Sequence, residues 1–212
     1  IGERTDVLTP EIIYSDFSED EFPAFYIMEK VEGENADDVI ELLSTEALEK
    51  LFYNYGKYLA EIHENASFKE HGLIFKNNGL GTEKGFERWE DSFRDLIKEN
   101  TGYIKESWNK PLDFYEDVEK LVKYLPDVEP VILHHDNRLE NLILKEGEIN
   151  GFLDWSFTRA GHSEYDLVIA EYLLIDWDLS FRDIEKTETL RKKLFEGYSD
   201  VKNLERDDNF EV

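Results

Sequence analysis

A carboxylate, a carboxamide and a second carboxylate stand at spacings that could serve one reaction. They lie in His134-His135-Asp136-Asn137-Arg138-Leu139-Glu140-Asn141 and in Leu153-Asp154-Trp155. Between them run Leu142-Ile143-Leu144, the turn Lys145-Glu146-Gly147-Glu148 and Ile149-Asn150-Gly151-Phe152, short apolar runs split by a glycine-bearing turn, which is how a small hairpin is written. Closing that hairpin returns Asp154 to the side of Asn141. Two hard oxygen ligands then face a common point, which suits Mg²⁺, a cation that takes one or two protein carboxylates and completes its shell with water and phosphate. Asp136 precedes Asn141 on the same loop and reaches a substrate held at that metal. A base for an incoming hydroxyl beside metal ligands for phosphates is the layout that phosphoryl transfer requires. For Asp136 alone, turn hydrogen bonding explains a polar loop residue better; the three residues together with their hairpin favour chemistry.

The elements that must hold this loop are legible on both sides of it. Val131-Ile132-Leu133 is a short β-branched strand leading in. Upstream, Glu11-Ile12-Ile13-Tyr14 and Ala24-Phe25-Tyr26-Ile27-Met28 read as two strands joined by an acidic loop. Leu48, Leu51, Phe52, Tyr55, Leu59 and Ile62 recur at steps of three and four, the stripe of an amphipathic helix of about 18 residues capped by Ser44 or Thr45. His63 at its end is expected to be structural, a histidine with a satisfied partner and not a metal ligand. Residues 65–84 are rich in Gly and Asn and read as loop, with His71 exposed. Phe86 to Ile97 and, less cleanly, Leu112 to Leu125 predict two further helices. Their aromatic residues Trp89, Tyr103 and Trp108 are expected in a packed core, the alternative being a face for a cationic substrate. Leu167 to Ile175 is apolar on most sides and predicts a buried helix, and a last helix is expected between Phe181 and Tyr198.

His-x-Asp-x-x-x-x-Asn, followed by an apolar hairpin and Leu-Asp-Trp, resembles the aminoglycoside phosphotransferase and choline kinase family, small-molecule relatives of the protein kinases. Gly161-x-x-x-Tyr165-Asp166-Leu167 matches the family's segment after the metal-binding Asp. The resemblance implies an α+β, protein-kinase-like fold, with residues 1–33 a remnant of the N-lobe strands and hinge and 34–212 a helical C-lobe bearing the catalytic loop. It implies Asp136 as the catalytic carboxylate, Asn141 and Asp154 as ligands of Mg²⁺, and His134, Arg138 and Asp166 as supports of the loop. Tyr26-Ile27-Met28-Glu29-Lys30-Val31-Glu32-Gly33 resembles the hinge, where Met28 would back the adenine of ATP or GTP, and the Glu29 carbonyl and Val31 amide would meet its edge. The family's nucleotide-covering loop, strand lysine and helix glutamate have no counterpart here, so the chain reads as N-terminally truncated and by itself inactive. The expected activity of the whole is transfer of phosphate from ATP to a hydroxyl of a small molecule; the alternative is a degenerate lobe that binds nucleotide or a partner without turnover.

Composition narrows the field independently. With 41% hydrophobic and 14% aromatic residues the chain can build a core despite its charge. Its 50 acidic against 24 basic residues give a formal charge of -26, which repels nucleic acid and anionic lipid and so excludes both as main partners. An acid excess spread along the whole chain also suits a high-salt setting, where counterions screen self-repulsion. The absence of cysteine removes disulfides, thiolate metal sites and thiol nucleophiles. No run approaches the ~20 apolar residues of a membrane span, and a cytoplasmic location is expected. A metal phosphohydrolase built on His134-His135-Asp136 lacks ligands, since only His63, His71 and His162 remain to complete it.

Overall fold

The structure, a computed structural model, describes residues 9–16, 25–76, 80–82, 84–108, 120–182 and 187–204, with the single positions 18, 23 and 184. Its central pair of helices is α2 (Thr45–Asn65) and α5 (Thr187–Ser199). The hydroxyl of Ser44 caps α2 by accepting from the Ala47 amide at 3.2 Å, which satisfies one of the first-turn donors that a helix leaves without an internal partner. The whole apolar stripe of α2 is buried, from Leu48 to Ile62, against Leu190, Leu194 and Tyr198 of α5. The two backbones nearly touch. A Cβ at Gly56 would lie 2.0 Å from the Leu194 carbonyl oxygen, and one at Gly197 would lie 1.8 Å from that of Tyr53. Backbone cannot yield as a flexible side chain would, so Gly197→Ala is expected to destabilise by about 1–3 kcal/mol through overpacking, even though alanine is the better helix former. A lower urea midpoint at unchanged slope would show it, and a raised midpoint would contradict the crossing geometry.

The described residues also form three antiparallel sheets. β1 (Ile12–Asp16) and β2 (Phe25–Met28) form a two-stranded ribbon, as their apolar β-branched runs predict, with Ile12, Ile13, Tyr14, Tyr26 and Ile27 exposed. β3 (Glu34–Asn35) pairs with β7 (Leu142–Lys145), which pairs with β8 (Glu148–Phe152). This is the hairpin that the sequence predicts. Its central turn residues both have positive φ, 55° at Glu146 and 82° at Gly147, the combination whose twist matches a two-residue hairpin loop. The third sheet has the order β5 (Leu80–Thr82), β4 (Gly72–Lys76), β9 (Arg159–Gly161), β6 (Val131–Leu133).

Two expectations fail in this third sheet. The stretch read as loop over 65–84 contains β4 and β5, because Gly72 and Leu73 find partners in Ala160 and Arg159, a pairing almost ninety positions away that local composition does not report. His71 is buried and not exposed: its amide and carbonyl exchange 2.9 Å bonds with Phe86, and its ring lies against Trp89. Trp89 itself opens α3 (Trp89–Trp108) and is buried with Val131 and Leu133, so it serves the core; the side chains of Tyr103 and Trp108, and most of the helix expected over 112–125, lie outside the described residues. α4 (Ser163–Glu171) continues into a π turn, Tyr172–Trp177, and a 3-10 turn, Asp178–Phe181. The short helix α1 (Ala36–Val39) is capped by Asn35. Among the described residues no helix is long and apolar enough to cross a membrane.

Candidate active site

The loop from His134 to Asn141 leaves β6 at the edge of one sheet and enters β7 in the other. A single buried carboxylate grips its start. Asp166, in the first turn of α4, accepts from the amide of His134 at 2.8 Å, the amide of His135 at 2.9 Å and the Asn137 carboxamide at 2.8 Å. Two successive amides converge on one carboxyl group because His135 adopts φ 66°, the left-handed conformation that turns neighbouring N–H groups to the same side. Behind it, His63 bonds Asp166 at 3.2 Å through Nε2 and the Tyr198 hydroxyl at 2.7 Å through Nδ1, so this histidine is structural, as its position at a helix end predicts. Burial pushes the Asp166 carboxyl up, but the hydrogen bond and charge of His63 and the amide donors outweigh it and hold the group at about 2.

His134 ties the loop to the far strand. Its Nδ1 accepts from the Asp136 amide at 3.3 Å, which leaves the proton on Nε2, donated to the Leu153 carbonyl at 2.9 Å. Asn137, for which no role was expected from its place in the loop, also accepts from the Tyr55 hydroxyl at 2.6 Å and so joins the loop to α2.

The three residues singled out from the sequence come together around Asn141. Its carboxamide donates to the Asp136 carbonyl at 2.9 Å and to the Asp136 carboxylate at 2.7 Å. Its own backbone carbonyl accepts from the Leu153 amide at 2.8 Å, which sets Asp154 beside it. Asp154 is exposed with φ 54°, and one of its oxygens accepts from the amide and hydroxyl of Ser156 at 3.2 and 2.5 Å. With its N–H groups spent on Asp136, Asn141 keeps its side-chain oxygen as the atom for a cation, and Asp154 keeps a second oxygen. This donor set fits Mg²⁺, all hard oxygens with most coordination positions left to water and phosphate. Among the described residues no cluster of three or more His, Asp or Glu could hold a metal by itself.

The expected hinge residues run toward this hairpin. Met28 ends β2 with its side chain exposed, and the Glu29 amide donates to the Glu11 carbonyl at 2.8 Å. Val31 packs over Gly151 of β8, closely enough that a Cβ there would lie 2.8 Å from a Val31 methyl. The Glu32 carbonyl accepts from Asn150 at 2.7 Å. Arg138 forms ion pairs with Glu140 at 2.6 Å and Asp178 at 3.3 Å. Asp178 carries no local signal, since Asp176 already closes the apolar run after Asp166 and Asp178 lies two residues beyond it.

Burial holds four of the five histidines, His71, His134, His135 and His162, below the ordinary imidazole range, His162 to about 4. The folded chain therefore binds fewer protons than the unfolded chain below about pH 6.5, and stability falls as pH falls through that window. Each such histidine contributes up to about 1.4 kcal/mol per pH unit. Urea midpoints taken from pH 7.5 to 5.5, above the range where ordinary carboxylates titrate, should decrease monotonically; a flat profile would mean that these rings are protonated inside the fold. Asp166 adds its loss only below about pH 4, as its folded value near 2 is approached.

A profile of the phosphotransferase enzyme family matches residues 3–207. The homoserine kinase of Neisseria meningitidis serogroup B (strain ATCC BAA-335 / MC58) is 34% identical over 73 residues, which is 34% of this chain and 23% of that enzyme. A putative fructosamine-3-kinase from Haemophilus somnus 129PT superposes with a TM-score of 0.60 at 16% identity, over 94% of this chain and 60% of that one. The streptomycin-ATP-APH(2")-IIa ternary complex gives 0.56 at 16%, over 92% and 61%, and the aminoglycoside phosphotransferase APH(4)-Ia with ADP and hygromycin B gives 0.61 at 14%, over 91% and 68%. The chain thus spans about three fifths of the first two structures and about a quarter of the homoserine kinase. At such identities the structural likeness establishes the fold, the α+β fold of these small-molecule kinases. The match across nearly all of its length places this chain in the phosphotransferase enzyme family.

Proposed function

We propose that the protein transfers the terminal phosphate of ATP, or of GTP, to a hydroxyl group of a small molecule, and that Asp136, Asn141 and Asp154 carry the reaction. The observation that supports this best is the chain of bonds from Asp136 through the Asn141 carboxamide and carbonyl to the Leu153 amide, which holds the Asp136 carboxylate beside the side-chain oxygens of Asn141 and Asp154. Asp136 is half-buried and accepts the acceptor's hydroxyl proton at a carboxylate oxygen. Asn141 orients that oxygen by donating to it, and Asp166 and His134 hold the loop backbone against recoil. Mg²⁺, when bound at Asn141 and Asp154, supplies neutralising charge for the phosphates. Met28, Glu29 and Val31, at the end of β2 and just after it, meet the purine.

A hydroxyl-bearing amino acid, an aminoglycoside or an amino sugar derivative is the acceptor class, as in the kinases named above. The test is to incubate the full-length protein with MgATP and single members of a panel containing homoserine, streptomycin, hygromycin B, a fructosamine and choline, and to follow ADP release. Acceptor-dependent release, abolished by chelating Mg²⁺, is expected with one class. Tight MgATP binding with no transfer to any acceptor would instead identify a nucleotide-binding module.

A further inference from the structure

The catalytic loop is gripped at its start by Asp166; its far end is gripped by a second carboxylate. Asp178 is almost fully buried, and its Oδ2 accepts from the Leu139 amide at 2.8 Å while Oδ1 faces an Arg138 guanidinium nitrogen at 3.3 Å. Leu139 opens the 3-10 turn that carries Asn141, and the Arg138 amide and carbonyl close the two small turns that bracket it, to the Asp136 carbonyl at 3.0 Å and from the Asn141 amide at 3.1 Å. A shift of Leu139 therefore moves both Asp136 and Asn141. The backbone of Asp178 is pinned in turn: its carbonyl accepts from Arg182 at 3.2 Å, and the Arg182 guanidinium donates to the Asp37 carbonyl at 3.0 Å in α1.

Asp166 and Asp178 reach one loop because of the unusual helix between them. Over the twelve steps from Asp166 to Asp178 an uninterrupted α-helix would turn through roughly 1200°, leaving the two carboxylates about 120° apart around the axis. The π turn at Tyr172–Trp177 advances more slowly, by about 82° per residue, which brings the total near 1090°, close to three full turns. Both carboxylates then face the same side, one at each end of the loop. Such a turn costs regular hydrogen bonding, and single π turns inside helices tend to sit at functional positions.

We propose that Asp178 is a positioning residue for phosphoryl transfer, holding Leu139 and Arg138 so that Asp136 and Asn141 keep their mutual geometry. This rests on Asp136 being the residue that accepts the hydroxyl proton. The test compares Asp178→Asn and Asp178→Ala with wild type and with Asp136→Asn in the full-length protein, with kcat normalised to molecules competent to bind MgATP. For Asp178→Ala kcat is expected to fall about 10- to 100-fold, the scale of a misplacement near 1 Å, and for Asp178→Asn, which keeps an oxygen for the Leu139 amide but turns an N–H toward Arg138, by less, with the KM for ATP within about twofold in both. Amide exchange at Leu139 should quicken while that at His134 and His135, held by Asp166, stays slow. If Asp136→Asn keeps its turnover, the catalytic reading itself is wrong. If Asp136→Asn is dead but the Asp178 variants keep wild-type kcat, only the positioning role is overturned. Loss confined to the competent fraction, or equal changes in kcat and KM, would make Asp178 a purely structural residue and overturn it as well.

Discussion

Asp136→Asn is expected to abolish measurable phosphoryl transfer in the full-length protein, a loss of about 10²- to 10⁴-fold, while MgATP affinity stays within about twofold. The asymmetry follows from what Asp136 touches. Its carboxylate is bonded to the Asn141 carboxamide on a half-buried stretch of the loop, where the proposal has it meet the acceptor hydroxyl, whereas the nucleotide would be held by the hinge and by a cation at Asn141 and Asp154. An asparagine at 136 keeps the side-chain shape and still offers an oxygen to the Asn141 N–H, so the loop is preserved and only proton acceptance is lost. Separate measurement of turnover and of nucleotide binding by titration distinguishes this from collapse of the site. Turnover within a few-fold of wild type would remove Asp136 from the mechanism, and a parallel loss of nucleotide affinity would place it among the phosphate ligands.

Asp166→Ala should produce the largest stability change among these variants, about 3–5 kcal/mol, because it removes one partner of a buried, charge-bearing network. Four donors converge on this carboxylate, the amides of His134 and His135, the Asn137 carboxamide and the His63 ring. Each would be left buried without an acceptor, at roughly 1–3 kcal/mol apiece if none could relax, and partial relaxation brings the total down to the stated range. His63 and Tyr198 carry the damage into the crossing of α2 and α5, so the effect should be global and visible as a lower urea midpoint, with activity lost in parallel. A loss under about 1 kcal/mol would mean that water or a rotated His63 replaces the carboxylate without penalty. Asp166→Asn offers a finer contrast, since its amide retains the size of the side chain but turns N–H groups toward donors.

Much of the candidate site was legible because it is local. The spacing of Asp136 and Asn141 lies within one loop, and the hairpin that returns Asp154 is closed by adjacent residues with a glycine at the position needing positive φ. The stripe of α2 and its Ser44 cap are likewise written in consecutive residues, since helical period and capping chemistry act within a few positions. The α+β class and the phosphotransferase family were readable for the same reason: the identifying motif is short and contiguous. His63 was correctly assigned a structural role, though its partners were not identifiable, because Asp166 and Tyr198 stand 103 and 135 positions away.

Relations between distant segments left no such local trace. β4 looked like loop because its strand character depends on pairing with β9, and β propensity describes a surface to be packed more than an intrinsic backbone preference. His71 looked exposed because a polar residue between Lys69, Glu70 and Gly72 carries no sign that Phe86 and Trp89 will cover it. Gly56 and Gly197 are unremarked in a helical pattern until two backbones meet there. Asp178 is the sharpest case: twelve residues of ordinary α-helix would carry it away from the loop, and only a π turn brings it back. The candidate site residues and the apolar faces could be read along the chain, since composition and period are properties of neighbouring residues. Which face covers which, and which carboxylate meets which amide, was decided by three-dimensional closure, where each contact joins residues whose separation along the chain leaves no periodic trace.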